Sequence, residues 1–345
     1  MKPSMSHSHI VQQRKKDHLS LALEGDLRSP CTTNGFEGYS FVHQALPEIS
    51  LRSVSIGTAL FGRALRSPLV VSSMVGGIPE AAAINRNLAI AAQELGLAMG
   101  VGSQRCGLDD PETAVSYRVR DVAPGILLFA NLGAIQLNYG YSEDHCRRAV
   151  EMIGADALVL HLNPLQEALQ AEGNTDFEGL LARIERVCRE LQVPVVVKEV
   201  GFGISSQVAK RLVEAGVSGI DVAGAGGTSF SRIEVSRGHG PLREDAFSRW
   251  GIPTSESLQM VRRVAPRLPL IASGGITTGV EVAKAVALGA DAAGIGAPLL
   301  ELASRSDEEV VHYLSQVSDE LRIAMFCVGC LTIDQLRAST LLVKR

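Results

Sequence analysis

Eight short apolar, β-branched runs alternate along the chain with helix-length amphipathic stretches. The runs are PLVVSS (68–73), LAMGVGS (97–103), GILLFANLG (125–133), ALVLHLN (157–163), VPVVVKEV (193–200), SGIDVAG (218–224), PLIASGG (269–275) and ADAAGIG (290–296). Between them, stretches such as AAAINRNLAIAAQELG, DFEGLLARIERVCRELQ, ISSQVAKRLVEAG and TGVEVAKAVALGA carry apolar residues three and four apart, and several close on a Gly just past the end. Strand then helix, repeated eight times, predicts an α/β fold, a parallel (β/α)8 TIM barrel. Continuous apolar strands fit a sheet buried on both faces, and such a barrel takes about 250 residues. The 345 residues are therefore read as one domain, 1–345, with the surplus in an N-terminal arm and extension over 1–50 and in a long loop after strand six, 226–253. Strand-to-helix loops in α/β units usually run about 2 to 6 residues, so a loop this long suggests an active-site lid. Its charged middle (Arg232, Glu234, Arg237, Arg243, Glu244, Asp245) is also compatible with a solvated excursion.

Charge narrows the partners. The 33 Lys+Arg against 37 Asp+Glu leave a net charge of −4, with no basic excess to suit a nucleic acid. No stretch reaches the roughly 18 uncharged apolar residues of a membrane span, and MKPSMSHSHIVQQRKKDHL lacks the apolar segment of a secretory signal, so a cytoplasmic protein is expected. The 6 cysteines are scattered through a chain large enough to build its own core, which needs no disulfide framework. The 34 glycines mark tight turns and close backbone approaches to a ligand.

In a barrel of this kind ligands bind at the C-terminal strand ends, and those ends are polar throughout. They carry Ser72-Ser73-Met74 with Gly76-Gly77, then Ser103-Gln104-Arg105, Asn131, the group His161, Asn163, Gln166 and Glu167, then Lys198-Glu199, and Asp221 with the turn Gly224 to Thr228. Strands seven and eight end in Ser273-Gly274-Gly275 and Gly294-Ile295-Gly296. Glycines at these two ends suit a phosphate, because bare backbone N–H groups and a short helix N-terminus can close on the anion. Lys198 leaves the core where its ammonium needs an anionic partner, and three readings stay open: a Schiff-base lysine, a lysine at the N1/O2 edge of a flavin, or an ion pair with Glu199 or Asp221. Glu167 could take a hard Mg²⁺ with phosphate oxygens completing the shell, although a strand-end His and a surface Glu are common without any metal.

Other features carry less. His7 and His9 sit in a tail with nothing to anchor them, Cys106 follows strand two without a paired base, and Cys327 with Cys330 form a C-x-x-C with no second pair. The run Arg14-Lys15-Lys16 with His18 is either a solvated helix start or an arm that folds over the barrel mouth and clamps a diphosphate.

Taken together, RKKDH (14–18), SSMVGG (72–77), GVGSQR (100–105), FANLGA (129–134), LHLNPLQE (160–167), VVKEVGFGIS (197–205), IDVAGAGGTSF (220–230), WGIPT (250–254) and IASGGI (271–276) resemble the type 2, FMN-dependent isopentenyl-diphosphate delta-isomerase family over nearly the whole chain. The resemblance implies FMN contacts from Ser73, Met74, Val75, Ser103, Asn131, Lys198 and Thr228, with the FMN phosphate at Gly274, Gly275, Ile295 and Gly296. It implies substrate contacts from Arg14, Lys15, His18, Ser103, Gln104, Arg105, His161, Asn163 and Gln166, and Mg²⁺ coordination by Glu167. It further implies a homo-oligomer, tetramer or octamer. Val75 stands where the family usually has Thr, and Phe230 where Trp is common.

The implied reaction moves the double bond of isopentenyl diphosphate to give dimethylallyl diphosphate. It needs protonation at one carbon and deprotonation two carbons away, through cationic character that water would quench. Acids look sparse on that face of the site, so reduced FMN is expected to serve as acid and base, with Lys198, Gln166 and His161 as the catalytic side chains. The reaction has no net redox change, and NADPH serves only to reduce the flavin. An FMN-dependent 2-hydroxy-acid or dihydroorotate-type oxidoreductase is the alternative, but neither the RKxxH arm nor LHLNPLQE has a use there.

Overall fold

The computed structural model describes residues 7–25, 27, 31–237 and 246–345, with side chains from residue 12 onward. His7 and His9 as side chains, and Arg243, Glu244 and Asp245 altogether, lie outside the described residues. Eight parallel strands close into a barrel: β1 (Leu69–Val71), β2 (Ala98–Gly100), β3 (Leu127–Gly133), β4 (Ala157–His161), β5 (Val195–Lys198), β6 (Gly219–Asp221), β7 (Leu270–Ser273) and β8 (Ala292–Ile295), with β8 pairing back onto β1. Each lies inside one of the apolar runs, and a helical segment follows each. The helices stop where the sequence signals a stop: Glu80–Leu95 ends on Gly96 at φ 64 and Glu143–Ile153 on Gly154 at φ 60, both left-handed positions that glycine adopts without strain.

Strand alternation sorts every second side chain to the barrel interior. Leu128, Ala130, Leu132, Leu158, Leu160, Val195 and Val197 pack outward against the helix layer, whereas Val70, Ala98, Leu127, Phe129, Ala157, Val159, Val196, Ile271 and Ala292 form a separate interior cluster. The floor of that interior is sealed by a hairpin, Thr58–Leu60 paired with Arg63–Leu65. Its two-residue turn, Phe61-Gly62, has φ 47 and φ 77, the positive pair a tight hairpin requires. Leu60 and Leu65 join the interior cluster, and the Phe61 ring meets Phe129 edge-on at 6.0 Å between centroids. Gly219 is needed at this contact, since a Cβ there would stand 2.7 Å from the Phe61 ring.

The arm and extension close on the rest of the chain. The helix His7–Glu24 lies over the C-terminal end of the barrel, and Tyr39–Phe41 pairs antiparallel with Leu342–Lys344. Part of the 226–253 loop is folded: Phe230–Ser236 is a helix packed on the helix Pro164–Leu169. No helix among the described residues is long and apolar enough to cross a membrane.

Candidate active site

Continuing the inward alternation to the upper strand ends brings Ser72, Asn131, Gly133, His161, Lys198, Asp221, Ser273 and Gly294 into one ring above the apolar layer. His161 Nδ1 lies 2.8 Å from Asn131 Oδ1. Burial first, and then the positive charges of Lys198, Lys15 and Arg14, push the His161 pKa down to about 3. The ring is therefore neutral at physiological pH, and because Asn131 Oδ1 can only accept, the Nδ1 proton is donated to it.

Lys198 Nζ donates to the Glu199 carbonyl at 2.7 Å. The ion-pair reading does not hold for Glu199, whose carboxylate is turned back to accept from the N–H groups of Val200, Gly201 and Phe202 at 2.6, 2.7 and 2.5 Å. Burial outweighs those bonds and raises Glu199 to about 7. Asp221 accepts from Ser273 Oγ at 2.6 Å, and burial holds its carboxyl above the ordinary value although Lys198 opposes this.

At the β6 and β7 ends the chain is packed backbone on backbone. A Cβ on Gly274 would fall 2.1 Å from the Gly224 carbonyl oxygen, and one on Gly275 would fall 2.4 Å from that of Gly226. Thr254 Oγ1 donates to the Gly274 carbonyl at 2.6 Å and Asn34 Nδ2 to the Gly275 carbonyl at 2.8 Å. In a trans peptide the N–H points opposite the C=O, so tying these carbonyls outward leaves the N–H groups of Gly275 and Ile276 facing away from their anchors. Beside them the buried Ser72 Oγ has no hydrogen-bond partner. N–H groups turned from their anchors, the lack of a Cβ at Gly274 and Gly275, and an orphaned hydroxyl would suit a cradle for a phosphate-bearing group.

A second set of groups meets under the N-terminal helix. Asn163 Nδ2 donates to Gln166 Oε1 at 3.1 Å and to Glu167 Oε1 at 2.9 Å, while the buried Asn163 Oδ1 has no partner. Gln166 Nε2 donates to Glu234 Oε1 at 3.1 Å, and His18 Nε2 stands 3.0 Å from the same oxygen. Burial raises the Glu234 carboxyl, but the bonds from His18, Arg237 and Gln166 more than offset it and leave the group below its ordinary value. Arg14 donates to Gln170 Oε1 at 2.6 Å, and Arg105 Nη1 approaches Asn174 Oδ1 at 3.5 Å. Glu167 Oε2 accepts from the Asn174 N–H at 2.6 Å. No group of three or more His, Cys, Asp or Glu side chains among the described residues could hold a metal ion. A cation at Glu167 would therefore complete its shell from ligand oxygens and water, as Mg²⁺ usually does.

Several expected residues have other work here. Gln104 is fully buried: its Oε1 accepts from Asn131 N at 2.9 Å and its Nε2 donates to the Ala149 carbonyl at 2.8 Å, so its side chain braces β3 against the helix Glu143–Ile153 and is not offered to a substrate. Lys15 directs its ammonium to the Gly76 carbonyl at 2.6 Å, the Ser103 carbonyl at 2.8 Å and Tyr117 Oη at 2.9 Å, which uses its three protons to fasten the arm. Burial lowers its pKa to about 8. Ile295 packs its side chain into the outer layer, leaving only its backbone near the mouth. The expectation of few acids is corrected by Glu234, which is 2% exposed and sits directly behind Gln166. Asn34 and Thr254 orient the glycine turn, and neither carries a sequence signal beyond the place of Thr254 in WGIPT.

A closed parallel barrel with glycine turns after β6 and β7 and a lysine at the β5 end fits an FMN-dependent barrel enzyme, and residues 166–343 match the FMN-dependent dehydrogenase family. A solved mandelate oxidase carrying an FMN adduct superposes with a TM-score of 0.66 over 95% of each chain at 22% identity, a likeness of fold alone. Curated relatives named isopentenyl-diphosphate delta-isomerase are much nearer: the chain is 55% identical to one from Synechococcus sp. over 92% of both chains. It is 51% identical to one from Stutzerimonas stutzeri over 98% of this chain and 99% of that one. The chain belongs to the isopentenyl-diphosphate delta-isomerase family.

Proposed function

We propose that this protein interconverts isopentenyl diphosphate and dimethylallyl diphosphate at reduced FMN. The observation that carries the reading is the meeting of the basic arm with the Asn163–Glu167 turn directly above a flavin-type barrel mouth. The cradle, the orphaned Ser72 hydroxyl and the Lys198 ammonium fit FMN. Its phosphate would lie at Gly274, Gly275, Ile295 and Gly296, and its ring against Ser73, Met74, Val75, Ser103, Asn131, Lys198 and Thr228. Reduced FMN supplies the acid and base at the alkene.

The chain's own residues do the rest. Arg14, His18 and Arg105 hold the diphosphate, with Ser103 at the edge of the same mouth. Lys15 adds positive potential while holding the arm down. Asn163 and Gln166 orient the substrate's hydrocarbon end, and Glu234 fixes the Gln166 amide, which cannot itself titrate near neutrality. Neutral His161 offers polarity without a competing proton. Lys198 places positive charge where the reduced ring carries negative charge. The arm and the 226–253 segment exclude water from a cationic pathway. Glu167 anchors Mg²⁺ on the diphosphate, NADPH or another donor keeps the flavin reduced, and the protein works as a single-domain subunit of a cytoplasmic homo-oligomer, tetramer or octamer.

The test is anaerobic incubation with FMN, Mg²⁺, a chemical reductant and isopentenyl diphosphate, beside a run with oxidised FMN. Dimethylallyl diphosphate should form only with reduced flavin and without stoichiometric loss of reductant. No product from a flavin-loaded, reduced protein would defeat the reading. Glu167→Gln should chiefly weaken Mg²⁺-dependent substrate binding, checked as the Mg²⁺ concentration needed for half-maximal turnover. Unchanged Mg²⁺ dependence would move the metal elsewhere.

A further inference from the structure

The N-terminal helix is fastened to the mouth along two lines. On the β1–β2 side lie Lys15, with its bonds to Gly76, Ser103 and Tyr117, and a long contact from Gln12 to Asp110 at 3.4 Å. On the opposite side the helix meets Arg237, whose side chain is only 5% exposed and which faces three carboxylates from three different segments. Nη1 lies 2.9 Å from Glu234 Oε2, Nη2 3.2 Å from Glu172 Oε1, and Nε 3.4 Å from Asp17 Oδ2 on the helix itself.

We propose that Arg237 is the latch that holds the N-terminal helix closed over the barrel mouth, and so a positioning residue for the arm's substrate contacts. The last clause rests on the function proposed above. The argument is electrostatic and geometric. Without the guanidinium, Asp17, Glu172 and Glu234 would face one another with Arg14 as the nearby fixed cation, and the arm would be pushed off its own mouth. The three carboxylates are met at three separate nitrogens, Nε, Nη1 and Nη2, spread across a rigid planar fork, whereas the compact ammonium of a lysine would have to draw all three to a single atom. Arg14 and His18 sit on the same helix as Asp17, so releasing the latch displaces the residues assigned to the diphosphate while leaving the glycine cradle untouched.

The test compares the FMN-loaded protein with Arg237→Gln and Asp17→Asn. Trypsin cleavage between residues 14 and 17, followed by mass spectrometry, reads arm opening independently of any activity. Opening exposes Arg14, Lys15 and Lys16 to the protease, so the cleavage rate follows the open population. Arg237→Gln should be cleaved about tenfold faster or more and Asp17→Asn about threefold faster, with FMN content unchanged in both. KM for isopentenyl diphosphate should rise in the same order while kcat changes less. Cleavage of flavin-loaded Arg237→Gln at the wild-type rate would overturn the latch. Should Arg237→Gln fail to load flavin, Asp17→Asn decides, and wild-type cleavage of that variant overturns the proposal. Wild-type protein without isomerase activity would defeat the functional reading but leave the protease comparison to judge the latch.

Discussion

The lower and upper halves of the barrel interior are built by the same strands and do opposite things. Below, Val70, Leu127, Phe129, Val159, Val196 and Ile271 close on the hairpin carrying Phe61 as one apolar cluster. Two residues further along the same strands, the inward positions become Ser72, Asn131, His161, Lys198 and Ser273, with glycine at 100 and 294 where a Cβ would strike Ser73 or Ser72. Alternation alone fixes which residues point inward; where the inward series turns from apolar to polar decides what the interior does. The lower half supplies burial, worth roughly 25 cal/mol per Å² removed from water. The upper half holds the half-buried Lys198 and His161 and, at the β5 and β6 ends, the buried carboxyls of Glu199 and Asp221, groups whose desolvation costs stability and is retained for chemistry.

That division can be broken by substitution. Phe129→Ala should lower stability by about 3–5 kcal/mol, since a fully packed aromatic leaves a cavity above the hairpin; denaturant melts read it, and flavin content per folded molecule should hold. Lys198→Ala should do the reverse, losing flavin affinity and about 10²–10³-fold in turnover, the scale of removing one preorganised charge, with little loss of melting temperature. A fully active, flavin-loaded Lys198→Ala protein, or one that melts as early as Phe129→Ala, would erase the distinction.

Glu199 sharpens it through pH. Its folded pKa of about 7 lies above the ordinary 4.5. The folded state therefore holds its proton more tightly than the unfolded chain, and the group costs increasing stability as pH rises from about 4.5 to about 7. That loss, on the order of a few kcal/mol, should vanish from the pH dependence of melting in Glu199→Gln, while a variant with the wild-type slope would show that the carboxyl is not buried in its acid form. Gln104→Ala makes the smallest change: about 1–3 kcal/mol of stability from two buried bonds left unmade, with KM nearly unchanged. A large rise in KM would return Gln104 to the substrate.

What could be read from the chain was local. The barrel, the glycine turns after β7 and β8, and Lys198 at a strand end follow from periodicity and from residues adjacent in sequence. What could not be read depended on distant packing. Glu234 looks like one charge among many in a polar loop until Phe230–Ser236 docks on Pro164–Leu169 and buries it behind Gln166. Gln104 sits in a turn whose side chain can face either the mouth or the helix layer, and only the position of Ala149 decides. The hairpin plug is not legible in TALFGRAL, which is too short and too mixed in polarity to mark two strands, although Phe61-Gly62 is a turn signal. Asn34 reaches Gly275 across 241 positions of sequence, beyond any spacing argument.

The central claim, that the proposed reaction above the upper ring transfers a proton and not a hydride, is tested most directly by anaerobic turnover of isopentenyl diphosphate on the reduced, FMN-loaded protein in D2O, with products followed by NMR. Deuterium from solvent should appear in dimethylallyl diphosphate while the flavin stays reduced and no reductant is consumed. Product formed with one reductant equivalent spent per turnover, or flavin oxidised in step with substrate, would contradict the account.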